Sequence, residues 1–565
     1  MQTADIVCLV LYLVVITGVG VWAARLVRNT GDFFMPRRFG KIMMLTHAFG
    51  TGTHSDQAVS VAAKTFSNGL SGIWYQWLWL FATPFYWVIA PLMRRFRAIT
   101  TGDVFAARYD RSVAGLFAVM GMAVLSLNIG VMLLGSGAVI EAGTGIPAAV
   151  AITIMTVLFV AYGVAGGLSA AIVTDFIQGI LTVVFSFLLL PFVLQAVGGM
   201  EGLHRTITDR EMFSLVAPGE IGVFYIVMIA VNGLVSIVVQ PHTMGNCAAG
   251  RTEMDGRVGF TCGNFVKRIC TMAWCLTGLA AVAYLGGGKV DPDQVYGIMA
   301  KDFLPQVLPG LLGVFLAALL ASVMSSCDSF MIASAGLFTE NLYKPLAPGR
   351  PDRHYLRVGR LVSLAVVAGG VGAAFALPDV REGLKWFWRI SAMMGVAFWL
   401  GLFWRRTTVA GAWAATLTAV AVLLVTAFLP QGVLARLQDT APAERLWLVH
   451  ETAKGLEIYL PWQMVFYLSA GVLAGIVVSL LTRPVGEAQL ETFYALARTP
   501  VAPGEPALQP CTLPEGAAVP PRRRRLLPWR SLEVPVPTLT SVIGFAAAWL
   551  AVGAMIWVFY VITQQ

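Results

Sequence analysis

Apolar runs of about 20 residues recur along the whole chain, separated by short polar segments. A hydrocarbon core about 30 Å thick needs a helix of roughly that length. Runs that meet the requirement lie at 4–24, 42–64, 72–93, 114–139, 146–166, 169–196, 219–247, 258–286, 309–342, 357–377, 384–404, 407–429, 462–481 and 537–562. They predict an all-α, polytopic membrane bundle of about 14 helices. No basic residue precedes the first run, whereas Arg25 and Arg28 follow it. That order argues for a retained span with its N-terminus outside rather than a cleaved leader. Basic residues then fall in alternate loops, as the positive-inside rule requires: Arg37, Arg38 and Lys41; Arg94, Arg95 and Arg97; Arg251 and Arg257; Lys344, Arg350, Arg353 and Arg357; Arg405 and Arg406; and Arg522 to Arg525. The outer loop 287–300 carries Asp291 and Asp293.

Composition agrees with lipid as the main solvent. Of the 565 residues, 57% are hydrophobic and 12% charged, where a soluble chain has about a quarter charged. The net charge of +9 sits in the loops and forms no basic stripe interleaved with exposed aromatics, so nucleic acid is not an expected partner. Seven cysteines include no CxxC pair, and six histidines include no HExxH spacing. Neither a disulfide framework nor a zinc site is suggested. No nucleophile–base pattern appears, and no enzyme activity or organic cofactor is expected. The stretch 483–535 is rich in Pro and Ala and ends in four arginines; it reads as a cytoplasmic linker near anionic lipid or as a regulatory docking segment. It is too short and too polar to form a catalytic domain. The last run, within 536–565, is a C-terminal transmembrane helix.

Polar residues inside spans are costly in lipid, so each cluster is a site hypothesis. In the second span, Gly50-Thr51-Gly52-Thr53-His54-Ser55-Asp56-Gln57 interrupts the apolar pattern. A helix broken there frees carbonyls for a cation and amides for an anion; the alternative is a re-entrant turn without a ligand. In the ninth span, Ser322, Ser325, Ser326 and Ser329 follow i, i+3, i+4, i+7 and share one helix face, with Asp328 beside them. Four hydroxyls on one face suit a hard cation such as sodium, although serines also bond their own helix. Thr174-Asp175-Phe176-Ile177-Gln178 opens the sixth span. Asp175 there is either a helix-end anchor or a carboxylate facing a cation path.

Taken together, these clusters resemble the sodium:solute symporter family, whose members carry sugars, proline, pantothenate, sialic acid and iodide. The resemblance rests on Gly166 to Gln178 with its Thr-Asp-x-x-Gln, on Gln240-Pro241-His242 followed by Ala248 to Glu253, on Met324-Ser325-Ser326 with Leu337 to Tyr343, and on Leu402 to Thr408. It runs from about residue 5 to 480. It implies the LeuT fold, a five-plus-five inverted repeat with flanking helices. The halves would be about 42–196 and 219–404, each opening with an interrupted helix, the second near Asn232-Gly233.

The resemblance also assigns residues. A main sodium site would use carbonyls of Gly50, Thr53 and Ser322 and hydroxyls of Ser325 and Ser326. A second cation site would use Asp175, Ser325, Asp328 and Ser329. Relatives usually have a hydroxyl where this chain has Asp328, so either a second cation or a proton is expected between the two carboxylates. Solute residues would include Gln57 and Gln76 with Tyr75; Trp74-Tyr75-Gln76-Trp77 fits an interfacial aromatic belt equally well. His54 and Asn232 complete the expected solute site. No arginine lies deep in 114–139, where sialic-acid carriers of the family bring one to a carboxylate.

The function implied is sodium-coupled import of a small polar organic solute across the cell membrane. The expected partners are the solute, Na+ and the bilayer, and a monomer is the expected working unit. A proton-coupled symporter and a transporter-like sensor remain the alternatives.

Overall fold

The computed structural model describes residues 2–564 except 26–29, 218–219, 287–289, 453–454, 503, 506–508, 522–525, 528 and 530. Arg28 and the run Arg522 to Arg525 therefore lie outside the described residues. Among the described residues, ten helices are long and apolar enough to cross a membrane, and one further pair would cross as a bent unit. The count of fourteen runs is reached only by including interrupted pieces. The run 42–64 forms two half-helices, Lys41–Gly52 and Ser55–Asn68. The run 72–93 becomes a single turn, Trp74–Trp77, followed by Thr83–Arg95. The runs 146–166 and 169–196 are two helices within Ala148–Leu188, parted between the runs where Gly167 leaves helical geometry at φ 58°, ψ −169°.

The sequence places the first interruption correctly. Gly50 and Gly52 are poor helix formers, and Thr53 and His54 are both extended, so the helix stops and restarts within two residues. The second interruption differs from expectation. Helix Val223–Ile237 runs straight through Asn232-Gly233, and the chain bends by 69° before Pro241–Ala248. Pro241 explains the shift, because it has no N–H and disfavours helical backbone in the residue before it.

Helix Leu311–Gly336, which carries the serine face, runs through the middle of the bundle. It packs on Ala148–Leu188, Lys41–Gly52 and Thr3–Ala24. Its most apolar window is 89% buried, against 17% for the C-terminal helix Leu539–Gln564. A helix that is apolar all round belongs in a core when protein surrounds it, and faces lipid when it lies at the rim. Helix Glu253–Leu285 lies against both halves of the broken helix. A Cβ on Gly259 would fall 2.5 Å from Met44 Cβ, and one on Gly263 would fall 2.7 Å from Leu45 O. Glycine at both positions lets the two backbones touch, as small residues do between membrane helices.

Two features depart from a purely helical bundle with a loose tail. A short antiparallel pair, Val449–Thr452 with Gly455–Ile458, covers one end of the bundle. At the other end, the stretch after residue 483 is docked rather than free. It forms helix Glu487–Arg498, and its acids pair with arginines of the bundle. Arg405 bonds Glu533 at 2.8 Å and Glu491 at 2.9 Å, and Arg97 bonds Glu505 at 2.8 Å. The reading of 483–535 by its proline and arginine content overlooked these carboxylates.

Candidate functional site

The break in the first half-helix pair lies against the serine face. The Ser326 hydroxyl is within 3.0 Å of Gly50 O and 3.2 Å of Ser322 O. The Ser322 hydroxyl turns back to Leu319 O at 2.7 Å, so it is the Ser322 carbonyl that faces the break. Ser325 Oγ donates to Asp175 Oδ1. A Cβ on Gly50 would lie 2.6 Å from Ser325 Oγ, so only glycine allows the helices this close. Thr53 is buried at the break and its Oγ1 has no hydrogen-bond partner among the described residues. Its N–H donates to Gly50 O at 3.2 Å. The structure thus brings Gly50, Thr53, Ser322, Ser325 and Ser326 to one place, rich in oxygen and closed to solvent.

The second expected cluster is connected differently. Asp175 is fully buried, which removes the reading as a helix-end anchor. Its Oδ2 meets His47 Nδ1 at 2.6 Å. Thr51 Oγ1 lies 3.3 Å from that nitrogen and 2.9 Å from Ser329 Oγ. Ser329 therefore reaches Asp175 through Thr51, which belongs to the interrupted stretch, and through His47, which was not singled out from the sequence. Asp328 is buried on the same helix, within electrostatic reach of Tyr12, whose hydroxyl accepts from Gln178 at 3.3 Å. The signal for His47 was present as a lone histidine one turn before Gly50 in an apolar run.

A cavity opens beside the break. His54, Gln57 and Gln76 line it, as expected, together with Gln240, Asn246, Lys267 and Trp388. His54 Nδ1 bonds Asp56, and Gln57 Nε2 reaches His54 Nε2 at 3.1 Å and Gly52 O at 3.0 Å. Several wall atoms have no partner among the described residues: Gln57 Oε1, Gln76 Oε1, Gln240 Nε2 and Asn246 Oδ1. Buried polar atoms are nearly always paired, so these are placed to meet something else.

Two expected solute residues do not line this cavity. Tyr75 packs edge-on to Trp388, with centroids 5.2 Å apart, and faces a second pocket that also holds Lys64, Glu220 and Lys385. Asn232 donates to Trp388 O at 2.9 Å and accepts from Tyr467 at 2.6 Å, so its amide is used within the fold. Both act on the cavity through Trp388. The reason is the later bend at Gln240-Pro241, which moves the break, and with it Gln240 and His242, to the cavity in place of Asn232. A third pocket reaches His47 and Ser329 from the opposite end, past Phe34, Met35 and Thr100.

A buried polar cavity beside a broken helix, with a pocket toward each end of a membrane bundle, defines a transporter. Residues 33–419 match the model of the sodium:solute symporter family, and the chain belongs to that family. It is 25% identical over 458 residues to the sodium/pantothenate symporter of Escherichia coli, covering 76% of this chain and 92% of that protein. It is 24% identical over 481 residues to the sodium/glucose cotransporter of Vibrio parahaemolyticus, covering 75% and 85%. Over 518 residues it is 24% identical to the osmoregulated proline transporter OpuE of Bacillus subtilis, covering 88% and 99%. A solved Na+-coupled sialic acid symporter shares its fold with TM-score 0.68 at 18% identity, over 86% of this chain and 99% of that one. The implied fold class is thereby met, and the chain is a transporter rather than an enzyme.

Proposed function

We propose that this protein is a sodium-coupled secondary active symporter that imports a small polar organic solute by alternating access. One observation carries the reading: the Ser326 hydroxyl meets the Gly50 carbonyl at the helix break while it also reaches the Ser322 carbonyl one turn back on its own helix. Sodium is a hard cation that takes oxygen ligands, and Gly50, Thr53, Ser322, Ser325 and Ser326 supply them. The ion would join the first half-helix to the serine helix. That contact differs between outward-open and inward-open arrangements, so sodium and solute each bias the same equilibrium, which is what coupling requires. One charge moving inward gains about 2.3 kcal/mol per 100 mV.

A second reading has its own support. The His47–Asp175 contact sets an imidazole against the carboxylate that the resemblance gives to a second cation. Either a second sodium ion held by Asp175, Asp328 and Ser329 or a proton on His47 balances that charge. Tyr75 and Trp388 are read as the aromatic barrier between the cavity and the outer pocket. The N-terminus is read as outside, since Arg37, Arg94, Arg95, Arg97 and Arg251 gather at one end through contacts such as Arg37 with Ala98 O and Arg94 with Gly250 O. The repeats are taken as about 42–196 and 219–404, the membrane as the cell membrane, and the working unit as one chain.

The test is accumulation of labelled solute in proteoliposomes under an inward sodium gradient, with matched potassium and proton gradients as comparisons. Uptake driven by sodium alone supports the first reading. Uptake driven by protons without sodium replaces it with the second.

A further inference from the structure

The cavity beside the broken helix is unusual in its charge. Lys267 and Arg268 both line it, and both are buried, at 6% and 1% exposure. No aspartate or glutamate lines it among the described residues. Neither cation has a salt bridge among the described residues. Lys267 Nζ donates to Gly52 O, the last carbonyl of the first half-helix. Arg268 Nη1 donates to Gln76 O at 3.1 Å and Nη2 to Asn264 Oδ1 at 3.5 Å, with the Tyr86 hydroxyl also within reach of the guanidinium, while Nε has no partner among the described residues. Asp56 is nearby but is engaged by His54. The Asp56 carboxylate is within electrostatic reach of Lys267 but stands behind the wall, so the lining itself presents two basic side chains, held by carbonyl and amide oxygens of only partial charge, and no carboxylate. Burying an unbalanced cation is expensive, and such groups are kept where they meet a ligand of opposite sign.

We propose that the transported solute carries a carboxylate, and that Lys267 and Arg268 hold it within the cavity. The guanidinium offers a planar fork suited to a carboxylate, and the ammonium beside it adds a point charge. Gln57, Gln76, Gln240 and Asn246 then meet the polar remainder of the molecule, and Trp388 and Phe387 its apolar side. Cationic recognition comes here from helix Glu253–Leu285, and not from the segment 114–139, where the sequence offered no arginine. This inference rests on the symporter reading and narrows its substrate class.

The test uses the purified full chain in detergent. Its thermal midpoint is recorded in NaCl and in KCl, with acids and their neutral counterparts: lactate and lactamide, nicotinate and nicotinamide, pantothenate and panthenol, proline and prolinamide, glucuronate and glucose. At least one acid is expected to raise the midpoint in NaCl at a concentration tenfold or more below that needed by its neutral counterpart. Arg268→Gln and Lys267→Gln are each expected to raise the half-saturating concentration of that acid tenfold or more. Arg268→Lys restores part of the loss. The shift between KCl and NaCl without solute is retained in Arg268→Gln, which makes no bond to the half-helix, and serves as its folding control; Lys267→Gln loses the bond to Gly52 O beside the sodium site, so its folding control is the thermal midpoint in KCl without solute. The proposal is overturned if no acid acts at lower concentration than its neutral counterpart, or if both glutamine variants bind the acid as wild type does. Absence of the sodium shift in the wild type would instead overturn the symporter reading, because that measurement contains no solute.

Discussion

Ser326→Ala and Ser322→Ala separate the proposed ion site from ordinary serine packing. Both residues are fully buried on one helix face, yet the hydroxyls point to different places. Ser326 Oγ sits at the helix break with Gly50 O and Ser322 O, whereas Ser322 Oγ is spent on Leu319 O. Removing a contact to a charged group costs about 1.5–3 kcal/mol, which is roughly ten- to hundredfold in affinity. Ser326→Ala is therefore expected to weaken sodium binding at least tenfold. Ser322→Ala keeps the carbonyl and is expected to change it less than about threefold. The assay is the thermal midpoint against NaCl at constant total salt, with KCl as baseline to remove the packing loss common to both variants. At sodium tenfold above the wild-type Kd, binding stabilises the fold by about 1.4 kcal/mol; a tenfold weaker site leaves about 0.4 kcal/mol. Equal sodium responses in the two variants, or a wild-type response in Ser326→Ala, would refute the assignment.

Further outcomes follow from other contacts. His47→Gln leaves the Oδ2 of the fully buried Asp175 without its imidazole partner, and an unsatisfied buried polar group costs about 1–3 kcal/mol; the midpoint should fall, and adding Asp175→Asn should recover part of it. Arg405→Ala removes the contacts to Glu533 and Glu491, so the segment 526–533 should be cut faster by a protease while the sodium response is unchanged. Asp293 precedes helix Val295–Val307 and accepts from Val380 N–H at 3.0 Å. Burial pushes its carboxyl up to about 6, against the opposing pull of Arg381 and that N–H. A raised carboxyl favours the folded state when protonated, so its contribution is full below the ordinary carboxylate value and is lost as pH rises through about 6. Asp293→Asn should flatten the fall in thermal midpoint between pH 4 and pH 6.5; an unchanged slope would show that other groups cause it.

What could be read without the structure was what depends on neighbours in sequence. The length of the apolar runs gave the ten spans among the described residues, because hydrocarbon thickness sets that length whatever surrounds the helix. Gly50 and Gly52 gave the first break, since backbone preference is local. The spacing 322, 325, 326, 329 gave one face, since helical geometry is periodic. These features located the broken helix and the serine helix, and the polar residues His54, Gln57 and Gln76 read from the sequence lie in the wall of the cavity beside the break. Even here a stronger local signal was passed over, because Pro241 and not Gly233 ends the second half-helix.

What only the tertiary structure decided was which polar groups meet. His47 faces Asp175 from 128 residues away, and Lys267 reaches Gly52 from 215 residues away. Neither pairing leaves a pattern along the chain. Each is set by how closely two helices approach, as at Gly259 and Gly263, and by the direction in which each side chain then points. The sequence by itself thus determined that this is a membrane bundle with oxygen-lined interruptions. Tertiary packing decided that Tyr75 and Asn232 support Trp388 rather than line the cavity. It also decided that two cations from one helix do line it, since a buried charge is defined by what stands opposite it in space.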